Sequence, residues 1–392
     1  MSTLDRNPVL TKGASLSTLR ELLKICSDLP EPRVPDVRID HLLYERYVRD
    51  THGWKRRLYY ALKPLIPRPV QIALRQRFVS VQASSSFPAW PIEPVLTEIM
   101  DSYLSALVRE VPVVERLGFW PGGSRFAFAI THDVEWDSGL RRAPDLAAIE
   151  KRLGFVSSWN LVPERYPIDW SIVDRLRADG FEIGMHGLKH DGKLFQSRAL
   201  FDRRAALINA HAREWKAVGF RSPSTLRNPD WMTALEFEYD SSFPDTDPYE
   251  PQAGGCCTIW PFFLGNIVEL PLTMPQDHTL FEILNQRDIS IWKKKALWIA
   301  EQGGLVLINI HPDYMLEESR LAFFEELLVF MKQQQGMWHA HPREIARWWR
   351  DRSASALVRE GGVCRVDGPA SGRAAIQRHD LQNGTVVTVT TA

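Results

Sequence analysis

The sequence predicts an α/β protein with a mainly parallel sheet, and two patterns support this prediction. From Arg125 onward, short apolar runs alternate with stretches in which apolar residues recur at helical spacing, as in chains of βα units. Residues 126–130 are continuously apolar, which is typical of a strand buried on both faces. The predicted strands are 126–131, 155–161, 181–185, 217–221, 237–241, 267–270 and 305–310. The predicted helices include 168–178, 199–216, 289–302 and 317–334.

The 392 residues suffice for one large domain and a smaller extension. Residues 1–115 are predicted to form a mainly helical, basic N-terminal extension, with helical spacing over 16–29 and 39–48. Residues 116–352 contain the α/β pattern, and 245–265, rich in Pro, Gly and aromatic residues, is predicted to be a long loop. The tail, 353–392, is predicted either to add a small β element or to be disordered.

Charge and cysteine content narrow the functional class. Lys plus Arg and Asp plus Glu both number 48, which argues against a general nucleic-acid binder. None of the four cysteines has CxxC spacing, which favours a reduced, cytoplasmic protein. We see no secretory signal at the N-terminus and no apolar run of the roughly 18 residues that a membrane span needs. We therefore expect a cytoplasmic location.

A basic stretch lies inside the extension, because residues 51–92 contain no acidic side chain. One interpretation is peripheral contact with an anionic membrane, or with a phosphate-bearing substrate, through basic residues interleaved with aromatic ones. The other is a solvent-facing basic surface on a helical extension packed against the main domain. The basic residues are Lys55, Arg56, Arg57, Lys63, Arg68, Arg75 and Arg77.

Polar residues follow the first predicted strand abruptly. Asp133 and Glu135 are one residue apart just beyond it, where the ends of parallel strands form ligand sites. Two acids in this place suggest a metal ligand and a general base, although an ordinary polar loop is the alternative.

Three further stretches place chemically active residues at predicted strand ends. His186 and His190 follow residues 181–185, and if a helix begins there, both imidazoles share one face and reach one ion. Arg221 follows the next strand and would hold Asp133 ionised, and His311 follows 305–310. Each alone has a plain alternative: chance spacing, a surface arginine in a turn, or a structural histidine. Their placement at the same end of different strands favours one shared site.

Four motifs carry a family resemblance: Thr131-His-Asp-Val-Glu135, His186-Gly-Leu-Lys-His190, Arg221-Ser-Pro223 and Leu307-Ile-Asn-Ile-His311. Over residues 125–349 the chain resembles the polysaccharide deacetylases with NodB homology, carbohydrate esterase family four. The resemblance implies a distorted (β/α)7 barrel and a divalent metal, Zn²⁺, held by a carboxylate and two histidines. It also implies that Asp133 is the general base, Arg221 its partner and His311 the general acid.

The acidic motif departs from the family pattern of two adjacent aspartates. Val134 separates Asp133 from Glu135, so we take Glu135 as the ligand, with Asp137 as a substitute. His132 replaces a phenylalanine and would either orient Asp133 or pack. The fourth family motif matches poorly: residues 239–242 or 245–247 lie about where it belongs, and neither receives a role.

The expected function is metal-dependent N-deacetylation of an amino sugar in a surface-polysaccharide precursor that is nucleotide-linked, lipid-linked or part of a growing polymer. The alternatives are a catalytically inactive binding or scaffold protein with this fold, and an O-acetyl esterase or non-sugar amidase with the same metal site. Trp136 and Trp260 are the candidates for stacking on a sugar, against the alternative that both are core residues.

Overall fold

A computed structural model describes residues 16–26, 28–30, 38–48, 70, 75–77, 79, 82, 87–382 and 385–391. Most of the basic stretch, including Lys55, Lys63 and Arg68, lies outside the described residues. Among the helices that are described, none is both long enough and apolar enough to cross a bilayer.

Ten α-helices and fourteen strands are described. The helices are α1 Leu16–Leu23, α2 Ile39–Leu43, α3 Val95–Glu110, α4 Asp137–Leu153, α5 Trp170–Ala178, α6 Arg198–Trp215, α7 Pro229–Met232, α8 Ser290–Gln302, α9 Glu318–Lys332 and α10 Pro342–Ser353. The strands are β1 Val113–Pro121, β2 Phe126–Val134, β3 Ser158–Leu161, β4 Glu182–Met185, β5 Gly219–Phe220, β6 Tyr239–Asp240, β7 Phe262–Leu264, β8 Ile267–Glu269, β9 Leu305–Ile310, β10 Met337–His339, β11 Ala356–Glu360, β12 Val363–Asp367, β13 Ala374–Gln382 and β14 Thr385–Thr391. Short 3₁₀ segments cover Pro223–Thr225 and Pro312–Tyr314, and a π-helical turn covers His278–Ile283.

The central sheet consists of parallel strands in the order β9-β2-β3-β4-β5-β6-β8. Strand β10 adds parallel to the start of β2, and β7 runs antiparallel along β8. Each strand predicted from the sequence is present, and the predicted mainly parallel sheet is confirmed. Because helices cover the outside and the strands curl around a filled interior, every residue of β2 and β9 is buried, as expected of sheets covered on both faces.

The sheet does not close by a regular ladder between β8 and β9. The chain just after β8 bridges this gap, since the Thr273 hydroxyl donates to the Leu305 carbonyl at 2.6 Å and accepts from the Leu307 N–H at 2.9 Å. The Met274 N–H also donates to the Leu307 carbonyl at 3.1 Å. The result is a distorted barrel of seven parallel strands, as the resemblance implies.

The two ends of the chain add a second, smaller layer. Strand β1 pairs antiparallel with β13, and β13 pairs with β14, while β11 and β12 form a separate hairpin. The tail is therefore β structure over much of its length. The extension also reaches the barrel, because buried Glu45 forms an ion pair with buried Arg227 at 2.7 Å and the Tyr47 hydroxyl donates to the Gly255 carbonyl at 2.5 Å.

Candidate active site

The end of β2 sends alternate side chains to opposite faces of the sheet. Asp133 points into the barrel, where asparagines of β3 and β9 contact it. His132 points outward, lies 2.5 Å from a Glu150 carboxylate oxygen and stacks on Trp159 with ring centroids 3.9 Å apart. Of the two roles predicted for His132, the structure therefore has packing and not the orientation of Asp133.

Glu135, His186 and His190 converge at the C-terminal ends of β2 and β4. Each offers one ligand atom, and these atoms lie within 4.8 Å of one another. His190 Nε2 contacts Glu135 Oε1 at 2.8 Å. His186 donates from Nδ1 to the Arg221 carbonyl at 3.1 Å, which leaves its buried Nε2 without a hydrogen-bond partner. A buried nitrogen with no partner, fixed through its other nitrogen, is the arrangement of a metal-ligating histidine. The site therefore fits a divalent cation.

No helix begins at His186, so the condition under which the two imidazoles would share a helical face is not met. Residues 186–190 form an irregular turn in which Gly187 has φ +65° and His190 has φ +49°. A Cβ at position 187 would lie 2.5 Å from Pro223 Cγ, so only glycine fits this conformation and this close approach. The two imidazoles meet because the chain turns back, not because they share a helical face.

Glu135 and Asp137 have different surroundings. Asp137 begins α4, is partly exposed and pairs with Arg141 one helical turn later. The backbone N–H of Glu135 donates to Asp313 at 2.8 Å, and the same carboxylate accepts from the Gly139 N–H at 2.8 Å. Asp313 thus fixes the turn that directs Glu135 towards the two histidines.

Asp133 is held by two amides. Asn160 donates to Oδ1 at 2.9 Å and Asn309 donates to Oδ2 at 2.8 Å. Burial alone would raise the pKa of Asp133, but His186, Arg221, His311 and the Asn160 hydrogen bond outweigh it and lower the pKa to about 2. This carboxylate is therefore ionised across the neutral range.

Arg221 lies close to Asp133 and acts on it through charge. Its Nη2 donates to the hydroxyls of Thr131 at 2.9 Å and Ser241 at 3.1 Å. Its positive charge helps to lower the pKa of Asp133, while the hydrogen bonds that orient the carboxylate come from the asparagines. Among the described residues, Arg221 therefore affects Asp133 through its charge and not through a hydrogen bond.

His311 lies on the same rim, immediately after β9. Its Nε2 is 3.9 Å from Asp133 Oδ2, and its Nδ1 donates to Asp277 Oδ1 at 2.6 Å. Burial lowers the pKa of His311, but the Asp277 carboxylate, with Glu135 and Asp133, raises it to about 10. His311 is therefore a protonated imidazole facing the ionised base.

Sequence reasoning missed four residues of this site. Asn309 interrupts an otherwise apolar strand, a signal that could have identified it, because a buried amide needs partners. Asn160 stands out less, since its strand begins with Ser158. Asp313 lies just beyond β9, two residues after His311, but only the fold shows that it contacts the turn at Glu135. Asp277 lies in the segment after β8, and only the fold brings it to His311.

The segments considered for the fourth motif are structural. Asp240 is buried beside Glu269 and accepts from Ser242 at 2.6 Å. Asp245 forms a buried ion pair with Lys295 at 2.8 Å. Neither contacts the three converging ligands directly through a hydrogen bond or ion pair among the described residues.

The two tryptophans have different positions. Trp136 is 49% exposed, follows Glu135 directly and carries the Arg165 guanidinium 3.7 Å from its ring centroid. Trp260 is buried and donates to the Gly303 carbonyl just before β9, at the opposite end of the barrel. The placement predicted for Trp260 is therefore wrong.

Comparison of the sequence with protein-family models gives no match, and neither does comparison with curated proteins. Solved structures do match. A protein described as a polysaccharide deacetylase from Mycobacterium smegmatis aligns over 59% of this chain and 92% of its own, with 18% identity and a TM-score of 0.48. A second protein described as a polysaccharide deacetylase, from Pseudomonas aeruginosa PAO1, aligns over 59% of this chain and 93% of its own, with 17% identity and a TM-score of 0.46. Puue allantoinase aligns over 59% of this chain and 92% of its own, with 17% identity and a TM-score of 0.45.

These similarities are distant, and the strand order and the converging motifs carry the assignment. Seven parallel strands form a distorted barrel, and residues from four of their ends meet at one rim. The chain therefore has the α/β barrel fold of the NodB-homology type that its motifs predict.

Proposed function

We propose that this protein is a metal-dependent hydrolase that removes the acetyl group from the nitrogen of an amino sugar. The observation that carries the proposal is the convergence of Glu135, His186 and His190 beside an ionised Asp133. A carboxylate and two neutral imidazoles suit Zn²⁺, which when bound supplies Lewis acidity towards a carbonyl oxygen and lowers the pKa of water.

The roles of the chain's own residues follow from their protonation states. Asp133 is the proton acceptor, and the amides of Asn160 and Asn309 keep its oxygens directed into the barrel. His311 carries a proton on the same rim and can give it to a departing amine, an acid–base pairing that contributes typically 10²–10⁴-fold. The 3.9 Å between His311 Nε2 and Asp133 Oδ2 exceeds a hydrogen bond, so proton donor and acceptor stay distinct.

The substrate class that we propose is an N-acetylated sugar. Its support is the family resemblance of the motifs, together with exposed Trp136 beside the ligand Glu135, since an indole face suits a sugar ring. We place the sugar in a surface-polysaccharide precursor and the protein in the cytoplasm. Peripheral contact of the Lys55–Arg77 stretch with an anionic membrane belongs to the same proposal. Co-sedimentation with anionic liposomes at low salt, lost at high salt, is the expected result, and no co-sedimentation at low salt would remove the membrane part.

The deciding experiment replaces Asp133 by asparagine and measures acetate release at equal zinc content. The variant should retain metal, because Asp133 is not among the three converging ligands, and should lose at least ~10²-fold in turnover. Asp137→Asn is the matched control, since this acid is partly exposed and paired with Arg141. Undiminished turnover in Asp133→Asn would exclude it as the base.

A substrate panel separates the remaining alternatives. N-acetyl sugars, O-acetyl sugars and acetylated non-sugar amines are compared with and without chelator. Release from the last two alone favours the esterase or the non-sugar amidase. Full zinc occupancy without release from any of them favours a binding protein that has lost catalysis.

A further inference from the structure

A cavity of about 780 Å³ lies at the end of the barrel opposite the candidate active site. It is open to solvent on one side and is lined by α3, β1, the β13–β14 hairpin and the residues just before β2 and β9. Because the residues before β2 and β9 lie at the opposite ends of these strands from Glu135 and His311, the cavity and the active site are separate. Its volume is in the range of small-molecule sites.

Arg116 places a buried positive charge on the wall of this cavity. The side chain lies on the cavity wall, is only 7% exposed and lies over the Phe119 ring, 4.4 Å from its centroid. Its Nε donates to His379 Nε2 at 3.0 Å, and its Nη1 donates to the Leu117 carbonyl at 3.4 Å. Among the described residues, no carboxylate lies within ion-pairing distance of this guanidinium, and no acceptor is present for Nη2.

The partner of Arg116 does not neutralise its charge. His379 is buried, and its pKa is lowered to about 3 by burial and by Arg116. His379 therefore accepts from Arg116 as a neutral ring and donates from Nδ1 to the Thr388 hydroxyl at 2.9 Å. Burial likewise lowers the pKa of Arg116 to about 9, which still leaves it charged at neutral pH.

A buried, charged group without a counter-ion is costly unless another charge compensates it. The other charged residues that line the cavity are two arginines, Arg109 and Arg125, and two acids, Asp101 and Glu301. Asp101 is the acid whose charge acts on Arg116, although no ion pair joins the two among the described residues. With two acids against three arginines, the cavity lining keeps one positive charge in excess. An anion from solution would neutralise this excess positive charge.

We propose that this cavity binds a small anion bearing a phosphate or carboxylate, with the free Nη2 of Arg116 as its principal contact. The apolar wall formed by Leu104 and Phe119 would lie against the body of such a ligand. The inference is independent of the proposed hydrolytic function, because the two sites use different residues at opposite ends of the strands.

The test measures binding to the full chain by calorimetry with inorganic phosphate, glucuronate and neutral glucose. Saturable binding of phosphate or glucuronate, weakened by added salt, is expected, and the stronger of the two identifies the ligand group. Arg116→Gln should weaken that binding at least tenfold. If neither anion binds saturably, or if glucose binds as well as the anions, the proposal is wrong.

Arg352 provides a matched control. It is buried, its pKa is likewise lowered to about 9 by burial, and it lies over the same Phe119 ring at 5.0 Å. It donates to the backbone carbonyls of Gly118 and Leu117 and does not line the cavity. Arg352→Gln should therefore bind the anion within about twofold of the parent protein. Equal losses of binding in the Arg116 and Arg352 variants would mean that destabilisation, not a lost contact, explains the effect, and would overturn the proposal.

A second variant covers the case in which Arg116→Gln does not fold. Ser105 lies on α3 at the cavity wall and is partly exposed. Ser105→Trp fills the space while it leaves Arg116 in place, and should abolish anion binding with little change in the unfolding midpoint. Unchanged anion binding in this variant would place the ligand elsewhere.

Discussion

Replacing Asp277 by asparagine tests whether His311 can serve as the proton donor. Asp277 accepts from His311 Nδ1 at 2.6 Å and from the His311 backbone N–H at 2.8 Å. Asparagine preserves the shape and one acceptor but removes the negative charge. Burial by itself lowers the pKa of His311, and Asp277 is the largest of the influences that raise it, ahead of Glu135 and Asp133. The substitution should therefore lower the pKa from about 10 towards its ordinary value of about 6.5.

The expected effect on activity follows from the sign of this change. The acid must be protonated, so activity is lost as the pH rises through the pKa of His311. With a pKa of about 6.5, roughly one His311 in ten is protonated at pH 7.5. We therefore expect kcat/KM to be about tenfold lower at pH 7.5 and to recover towards pH 5.5. A bound cation would lower the pKa of His311 in both proteins, so the informative quantity is the separation between the two profiles.

The assay is acetate release between pH 5 and 10 at equal zinc occupancy. The control is a double-mutant cycle in which Asp277→Asn is introduced into a His311→Gln background, where it should cause little further loss, because the group on which it acts is gone. If the alkaline limb of Asp277→Asn coincided with that of the parent protein, His311 would not be the acid, and the role inferred from its hydrogen bond would be refuted.

Three further predictions concern the ligand, the sugar platform and the extension. Glu135→Gln should lower zinc stoichiometry well below one, whereas Asp137→Asn should leave it unchanged, because only the first converges with the histidines. Trp136→Ala should raise KM for an oligosaccharide several-fold with little change in kcat, whereas Trp170→Ala should not, because this similarly exposed indole packs on Arg177 and Trp215. Glu45→Gln should lower the free energy of unfolding by about 3 kcal/mol, measured by urea denaturation, because it leaves a buried guanidinium unpaired.

Each of these has an outcome that contradicts it. Equal zinc content in Glu135→Gln and Asp137→Asn would show that Glu135 is not the acidic metal ligand. Equal KM values for the two tryptophan variants would mean that Trp136 is not a sugar platform. An unchanged urea midpoint in Glu45→Gln would show that the ion pair between extension and barrel contributes no stability.

The sequence predicts the barrel and its reactive rim because both have local signals. A fully covered strand must be apolar, so β2 and β9 are visible as runs, and the polar residues that end each run identify the rim. Asp133, Glu135 and His311 were all found this way, since the ends of parallel strands lie together in any such sheet.

The parts that were not predicted depend on contacts between distant residues. Asp277 belongs to the segment that bridges the gap between β8 and β9, and nothing in its neighbourhood reveals that it faces His311. The spacing of four between His186 and His190 suits both a helix and a turn, and only the close approach of Pro223 to Gly187 shows that the chain turns there.

The pairing of β1 with β13 has a consequence for how the chain folds. These strands lie more than half the chain apart, so β1 must wait, with its edge unsatisfied, until almost all of the polypeptide has been synthesised. Contacts of such long range are slow to form, and an exposed strand edge invites intermolecular association. A nascent or nicked chain that lacks residues 374–391 should therefore aggregate through β1 even when its barrel is complete.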